Sequence, residues 1–206
     1  MIVDFLRIFV AIFIIVEPIG LLPLFIALTH NYSKKRIKHT VWLACLTAAF
    51  VLIIFTFTGD IMLEFFGVTI PAFRIAGGII IFIVALGMLQ AKRTRLKTTP
   101  EEEEKGLEQE EVGIVPIGIP MLAGPGAITT VIVSTSSSQQ YNTCITIAAI
   151  MLTLFFAFFI LKQAASIHRI LGPTGLNIFT RLMGLILAVI SVQFVIDGIK
   201  EFFLLS

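Results

Sequence analysis

The chain is predicted to be an all-α membrane protein of six transmembrane helices, arranged as two inverted three-helix repeats with helices 1 and 4 broken near the midplane. Three observations predict this. The 206 residues are 57% hydrophobic and only 14% charged, with a mean hydropathy of +1.01, whereas an ordinary soluble domain carries about 25% charged residues. The apolar residues gather into six runs, each near the ~20 residues a helix needs to cross the hydrocarbon. Two separate landmarks, an arginine that opens a helix and a proline–glycine cluster, recur in both halves of the chain at one common spacing.

The six spans are expected at Phe5–Thr29, Thr40–Thr58, Phe73–Leu89, Val112–Ser134, Cys144–Leu161 and Leu182–Leu205. Their apolar character is unbroken, whereas the strands of a membrane barrel alternate in polarity every second residue over about ten residues. The N-terminus has one early cation, Arg7, and no Ala-x-Ala-like cleavage site, so it reads as a retained first span and not as a signal peptide.

The connections set the orientation. The first, third and fifth loops hold eleven of the fifteen Lys and Arg residues, including Lys34, Lys35, Arg36 and Lys38 in the first. The positive-inside rule places these loops in the cytoplasm and both termini outside. Residues 91–111 begin basic (Lys92 to Lys97) and turn acidic (Glu101 to Glu111). They read as a charged cytoplasmic linker between residues 1–90, the first repeat, and residues 112–206, the second, within one integrated membrane domain.

The repeat rests on Arg74-Ile75-Ala76-Gly77-Gly78-Ile79 and Arg181-Leu182-Met183-Gly184-Leu185-Ile186, which match at an offset of 107 in the numbering. The same offset carries Pro18 to Pro125. An offset of 102 competes, pairing Pro18 with Pro120 and Pro23 with Pro125, and the arginine match favours 107. Three crossings per half reverse the side of entry, so the second half is expected upside-down, a recurrent plan of secondary transporters.

The first span contains Glu17-Pro18-Ile19-Gly20 and Pro23; the fourth contains Pro116, Pro120 and Ala123-Gly124-Pro125-Gly126. Proline removes an amide donor and clashes with the carbonyl four residues back. Broken backbone at membrane depth persists only where protein or a watery cavity receives it. Just after Pro18 and Pro125, the amides of Ile19, Gly20, Gly126 and Ala127 lose their helical partners and make positive half-helix ends suited to an anion. Carbonyls freed before each break accept from an ammonium group or a cation, so one site with both features suits a small zwitterion. Simple kinking of membrane helices is the competing account of each cluster.

Glu17 is the sharpest single residue, because a carboxylate in mid-membrane is a functional candidate by default. It is a candidate for coupling or for facing a substrate ammonium, against a purely structural acid. Thr129 and Thr130 are candidates to line the site, or to cap carbonyls of the preceding turn. Arg74 and Arg181 are candidate gate or coupling residues, with interfacial snorkelling favoured. Asp197, near the outer end of the last span, is a weaker candidate.

The remaining chemistry is sparse. Cys45 and Cys144 sit in apolar runs and read as small hydrophobes. His30, His39 and His168 stand at loop edges, and Ser134–Ser138 reads as a loop. No paired acids, metal-ligand spacing or nucleophile–base dyad occurs in the spans, which argues against an intramembrane enzyme and calls for no cofactor or metal. No basic stripe points to nucleic acid.

The segments Glu17–Phe25, Pro71–Ile80, Ile114–Pro116, Ile119–Thr130 and Arg181–Ile186 resemble the MarC family, and the resemblance covers nearly the whole chain. It implies a six-helix inverted repeat in the bacterial inner (plasma) membrane. It also implies transport, since the family includes archaeal carriers of small neutral amino acids, glycine and alanine, coupled to an ion gradient. By position, the family's first motif falls on Glu17, Pro18 and Gly20 and its second on Gly124, Pro125 and Gly126. The family's first motif usually opens with Asn or Asp, so Glu17 is a departure that bears on the pocket or the coupling ion.

The expected function is therefore secondary transport of a small neutral amino acid, coupled to H+ or Na+, around a midplane site formed by Glu17, Pro18, Ile19, Gly20, Ala123, Gly124, Pro125, Gly126, Ala127, Thr129 and Thr130. The alternative is a non-transporting membrane scaffold or accessory protein. The partners expected are the amino acid, the ion and the lipid bilayer, with a homo-oligomer possible through seams of small residues.

Overall fold

The structure, a computed structural model, describes residues 2–90, 112–135 and 140–205. The linker 91–111 and residues 136–138 of the serine loop lie outside the described residues. The described residues form α1 (Ile2–Val16), α2 (Leu22–Thr29), α3 (Lys34–Phe65), α4 (Ile70–Leu89), a wide-turn proline segment (Gly113–Leu122), α5 (Pro125–Thr135), α6 (Gln140–Lys162) and α7 (Ala164–Leu205). No strand occurs among them. The chain is thus an all-helical membrane protein. α3, α4, α6 and α7 are each long and apolar enough to cross a membrane, and the proline segment with α5, bent by 56°, makes a fifth candidate. At 1.5 Å per residue α1 reaches only about 22 Å, so it is too short to cross without α2.

Helices overrun the apolar runs. α3 starts at Lys34 and ends at Phe65, whereas its apolar run covers Thr40–Thr58. A helix satisfies its own backbone hydrogen bonds and continues into water; hydropathy marks only the part that lipid tolerates. The ends of α3 follow capping chemistry. The Ser33 hydroxyl accepts from the Arg36 N–H at 3.3 Å, satisfying one amide of the first turn. At the other end Gly67 takes φ +66°, its N–H donates to the Glu64 carbonyl and the Val68 N–H to that of Leu63, a Schellman stop. The α4 helix begins with Thr69 as cap and Pro71 in the first turn. Within α7, Gly172 (φ +63°) and Pro173 interrupt the helix.

Glycines set the helix contacts. α4 and α7 run antiparallel: Arg74 pairs with Glu201 at 3.1 Å, Gly78 lies against Ser191 and Val195, and Gly184 against Ala85 and Met88. A Cβ at Gly78 would stand 2.9 Å from the Ser191 carbonyl oxygen, and one at Gly184 3.2 Å from that of Ala85. These two contacts mirror each other, because Gly184 follows Gly78, and Ser191 follows Ala85, at one shared offset of 106 in the numbering. The proline segment and α5 run parallel to α3: Gly113 lies on Thr40, Gly118 on Ala44 and Thr47, and Gly59 on Ile132. The α6 helix leans on α1 and α3, with the Phe156 ring 6.0 Å from Phe9 and the Leu154 carbonyl 3.7 Å from the Cys45 thiol.

The outer faces are apolar. On α7, Leu182, Leu185, Val189, Val192, Ile196, Ile199 and Phe203 are all exposed. Their alternating three- and four-residue steps trace one helix face, which suits lipid.

Candidate functional site

The first break lies between α1 and α2. The last helical bond of α1 runs from the Glu17 N–H to the Phe13 carbonyl at 3.0 Å. Glu17 then adopts φ +51°, a left-handed conformation that costs a non-glycine residue about 1–2 kcal/mol, and Pro18 cannot continue the helix. The Glu17 side chain is 5% exposed. Its carboxylate folds back over the turn into the space a Gly20 side chain would occupy, so that a Cβ at Gly20 would collide with Glu17 Oε1. α2 opens without a side-chain cap and with Pro23 in its first turn; the Leu22 N–H donates to the Ile19 carbonyl at 3.1 Å.

The second break is longer. Val115 and Ile119 are extended inside the proline segment, each preceding a cis proline, Pro116 and Pro120. Wide turns bridge these points: the Ile117 N–H donates to Val112 and the Ala123 N–H to Gly118. The chain becomes α-helical again at Pro125. The N–H groups of Gly126 and Ala127 then stand in the first turn of α5, ahead of any intrahelical carbonyl.

The end of α1 meets the start of α5. Gly126 faces Ile15, two residues before Glu17, and Ile81 of α4; a Cβ there would sit 3.1 Å and 3.2 Å from their side chains. Around this contact lies a cavity of about 20 Å³ lined by Ile15, Ile81, Val84, Met121, the stretch Gly124–Ala127 and Leu187, room for about one water. Of the residues predicted from sequence, Gly124, Pro125, Gly126 and Ala127 line it. Glu17, Pro18, Ile19, Gly20, Ala123, Thr129 and Thr130 do not line it. The hydroxyls of Thr129 and Thr130 donate to the Pro125 and Gly126 carbonyls at 2.9 Å and 2.8 Å, so both cap the first turn of α5.

A second cavity of about 860 Å³ opens between α1, α4, α5 and α7. Its polar lining is Asp4, Arg7, Arg74, Thr130, Ser134, Gln193 and Asp197. The Gln193 Nε2–H donates to Asp197 Oδ1 at 2.7 Å. Thr130 forms part of its wall, one turn beyond Gly126. Arg74 thus stands in an ion pair at a cavity edge, whereas Arg181 is exposed on α7 and lines neither cavity. Sequence reasoning did not find Gln193, although its position four residues before Asp197 on one helix face was a usable signal. It also missed the apolar lining from Ile15, Ile81 and Leu187, for which no local signal exists. Among the described residues no group of three or more His, Cys, Asp or Glu could hold a metal.

The model of the MarC family of integral membrane proteins matches residues 2–203. The chain belongs to the MarC family. Relatives of this MarC protein match it over nearly their whole length. A UPF0056 membrane protein of Aquifex aeolicus is 37% identical over 96% of this chain and 92% of its own. The UPF0056 membrane protein YhcE of Escherichia coli is 34% identical over 97% and 93%, and MJ1677 of Methanocaldococcus jannaschii 36% identical over 95% and 96%. No solved structure matches the MarC chain.

Proposed function

We propose that this MarC protein is a secondary transporter of small neutral amino acids such as glycine or alanine, driven by a proton or sodium gradient. It works by alternating access around the meeting point of two broken spans. The carrying observation is the contact of Gly126, in the first turn of α5, with Ile15 at the end of α1.

Six crossings in an inverted repeat underlie this reading. From Gly113 beside Thr40 to Ile132 beside Gly59, the proline segment and α5 accompany twenty residues of α3. That is about 28 Å of helix, close to the ~30 Å hydrocarbon thickness, which favours a broken span over a re-entrant loop. The α1 residues Asp4 and Arg7 share a cavity with Arg74 and Ser134, at the end of α3 that Gly59 marks. α2 leads directly into the opposite end, so α1 and α2 together make another broken span. The antiparallel α4 and α7, with glycine contacts mirrored between the two halves, support opposite orientation of those halves. The basic loops then face the cytoplasm of the inner membrane and both termini face outward.

On the proposed outer side the vestibule of about 860 Å³ descends to Thr130. On the other side Leu22, Phe25, Ile117 and Leu122 are buried, and the proposed arrangement is outward-open. The free first-turn amides of Gly126 and Ala127 suit a carboxylate, and the absence of a side chain at Gly126 leaves room only for a small substrate. The present cavity admits about one water, so the amino acid enters as α1 and α5 part. Glu17, buried in the first break, is the proposed coupling acid.

The test is uptake of labelled glycine and alanine into liposomes holding the purified protein under a proton or sodium gradient. Gradient-dependent accumulation is expected. Gly126→Ala, whose added methyl meets side-chain and no backbone atoms, Ile15 Cγ2 at 3.1 Å and Ile81 Cγ1 at 3.2 Å, should keep the fold and lose at least tenfold in flux. A membrane scaffold, the rival that the small cavity and the inward-bonded Thr129 and Thr130 favour, accumulates neither amino acid under either gradient.

A further inference from the structure

We propose that the outer vestibule is itself a binding site for a small zwitterion, with Arg74 taking its carboxylate and the Gln193–Asp197 pair its ammonium, before the molecule reaches the midplane cavity. The inference rests on the transport reading and adds to it a second, outer site. The vestibule carries opposite charges on both walls. On one wall, Arg74 of α4 and Asp197 of α7 lie near the same level, because the antiparallel helices bring Arg74 to Glu201 and Ile75 to Gly198. On the other wall, Asp4 and Arg7 stand about one turn apart on α1. A lone anion entering here meets Asp4 and Asp197, and a lone cation meets Arg7 and Arg74. A molecule bearing both charges satisfies each wall.

The two reading groups are oriented in advance. Glu201 holds Arg74 through one Nη at 3.1 Å, and a guanidinium has five N–H donors in a fixed fork, so donors remain for a carboxylate. Gln193 holds one oxygen of Asp197 at 2.7 Å and leaves the other as acceptor. Ile8, Ala11, Ile190 and Phe194 are among the apolar residues of the lining and lower the local dielectric, which strengthens such pairs. The size difference, about 860 Å³ against about 20 Å³, means that of these two cavities it is the vestibule that accommodates an amino acid in this conformation.

The experiment is equilibrium binding to the full chain in lipid nanodiscs, with labelled L-alanine as the zwitterion, propionate as the carboxylate alone and ethylamine as the ammonium alone. Alanine should bind, and propionate and ethylamine should bind at least tenfold more weakly. Asp197→Asn and Arg74→Gln should each weaken alanine at least tenfold, while Gly126→Ala should retain alanine binding as uptake falls. Because Arg74→Gln also removes an ion-pair partner from the fold, Gln193→Ala, an exposed side chain, serves as a second variant and should lower affinity severalfold. Unchanged affinity in the folded charge variants, or loss of binding in Gly126→Ala, overturns the outer site and leaves the transport reading standing if uptake persists. Absence of both alanine binding and uptake overturns the two together.

Discussion

Gly77 of α4 lies directly beneath Thr129 of α5: a methyl group at Gly77 would overlap the Thr129 Cγ2, while the Thr129 hydroxyl is anchored to the Pro125 carbonyl at 2.9 Å. This contact holds α4 against the helix that leaves the second break. Gly77→Ala is expected to destabilise the protein by about 1–3 kcal/mol through overpacking. Thr129→Ser deletes the worst-placed methyl but leaves the Cβ and hydroxyl 2.9 Å and 3.0 Å from the added carbon, so the double variant should recover part of the loss. Thermal unfolding in mild detergent reads both, and equal losses in the single and double variants would refute the contact.

The mirrored contacts of α4 and α7 predict paired sensitivity. Gly78→Ala pushes a Cβ against the Ser191 carbonyl and Gly184→Ala one against that of Ala85. Backbone cannot yield as a side-chain end does, so each should lower the unfolding temperature by several degrees. Tolerance of both would mean that the two helices do not approach this closely.

Gly67 separates conformation from packing. No atom lies within 4 Å of a Cβ there, but φ is +66°. Gly67→Ala should therefore cost about 1 kcal/mol, from the left-handed backbone alone, and Gly67→Asn less, since Asn tolerates that region. A cost for Asn equal to that for Ala, read from the same melts, would count against this account of the α3 stop.

Glu17 and Gly20 should behave as one unit. The Glu17 carboxylate fills the space beside Gly20, so Gly20→Ala must displace it. Glu17→Asp shortens the side chain and should relieve part of that damage. A double-mutant cycle on stability is expected to show coupling of about 0.5–3 kcal/mol; strictly additive losses would separate the two residues.

The Arg74–Glu201 pair is shielded unevenly: the side chains are 22% and 36% exposed, while the pairing Glu201 Oε2 is itself buried. Glu201→Gln should cost no more than about 1 kcal/mol, and the cost should shrink as salt is raised. A large, salt-independent loss would show the pair to be more deeply enclosed than its exposure implies.

The breaks were legible from sequence because their cause is local. Pro18, Pro120 and Pro125 delete donors wherever they stand in a helix, and Gly20 and Gly126 mark close approach. Residue pairs at both offsets occupy comparable places in the structure. Gly78 and Gly184, with their carbonyl neighbours, mirror each other at an offset of 106, next to the arginine register of 107. Pro23 and Pro125 each fall in the first turn of the helix after a break, at an offset of 102.

Helix ends were less legible. The apolar run Thr40–Thr58 understates α3 because Ser33 and Gly67 set its limits through hydrogen bonds that hydropathy does not record. The charged partners were not legible at all, since Glu201 gives no sign along the chain that it lies against Arg74.

By itself the sequence determined that the chain lives in lipid, where its helices break, and which small residues stand at the breaks, because each of these follows from the chemistry of a few adjacent residues. Only the tertiary structure decided that Ile15 meets Gly126, that Thr129 and Thr130 bond to their own helix, and that residues of four helices line an open cavity bearing Asp4, Arg7, Arg74 and Asp197. The contacts between helices join residues far apart in the chain, and their geometry depends on how whole helices pack.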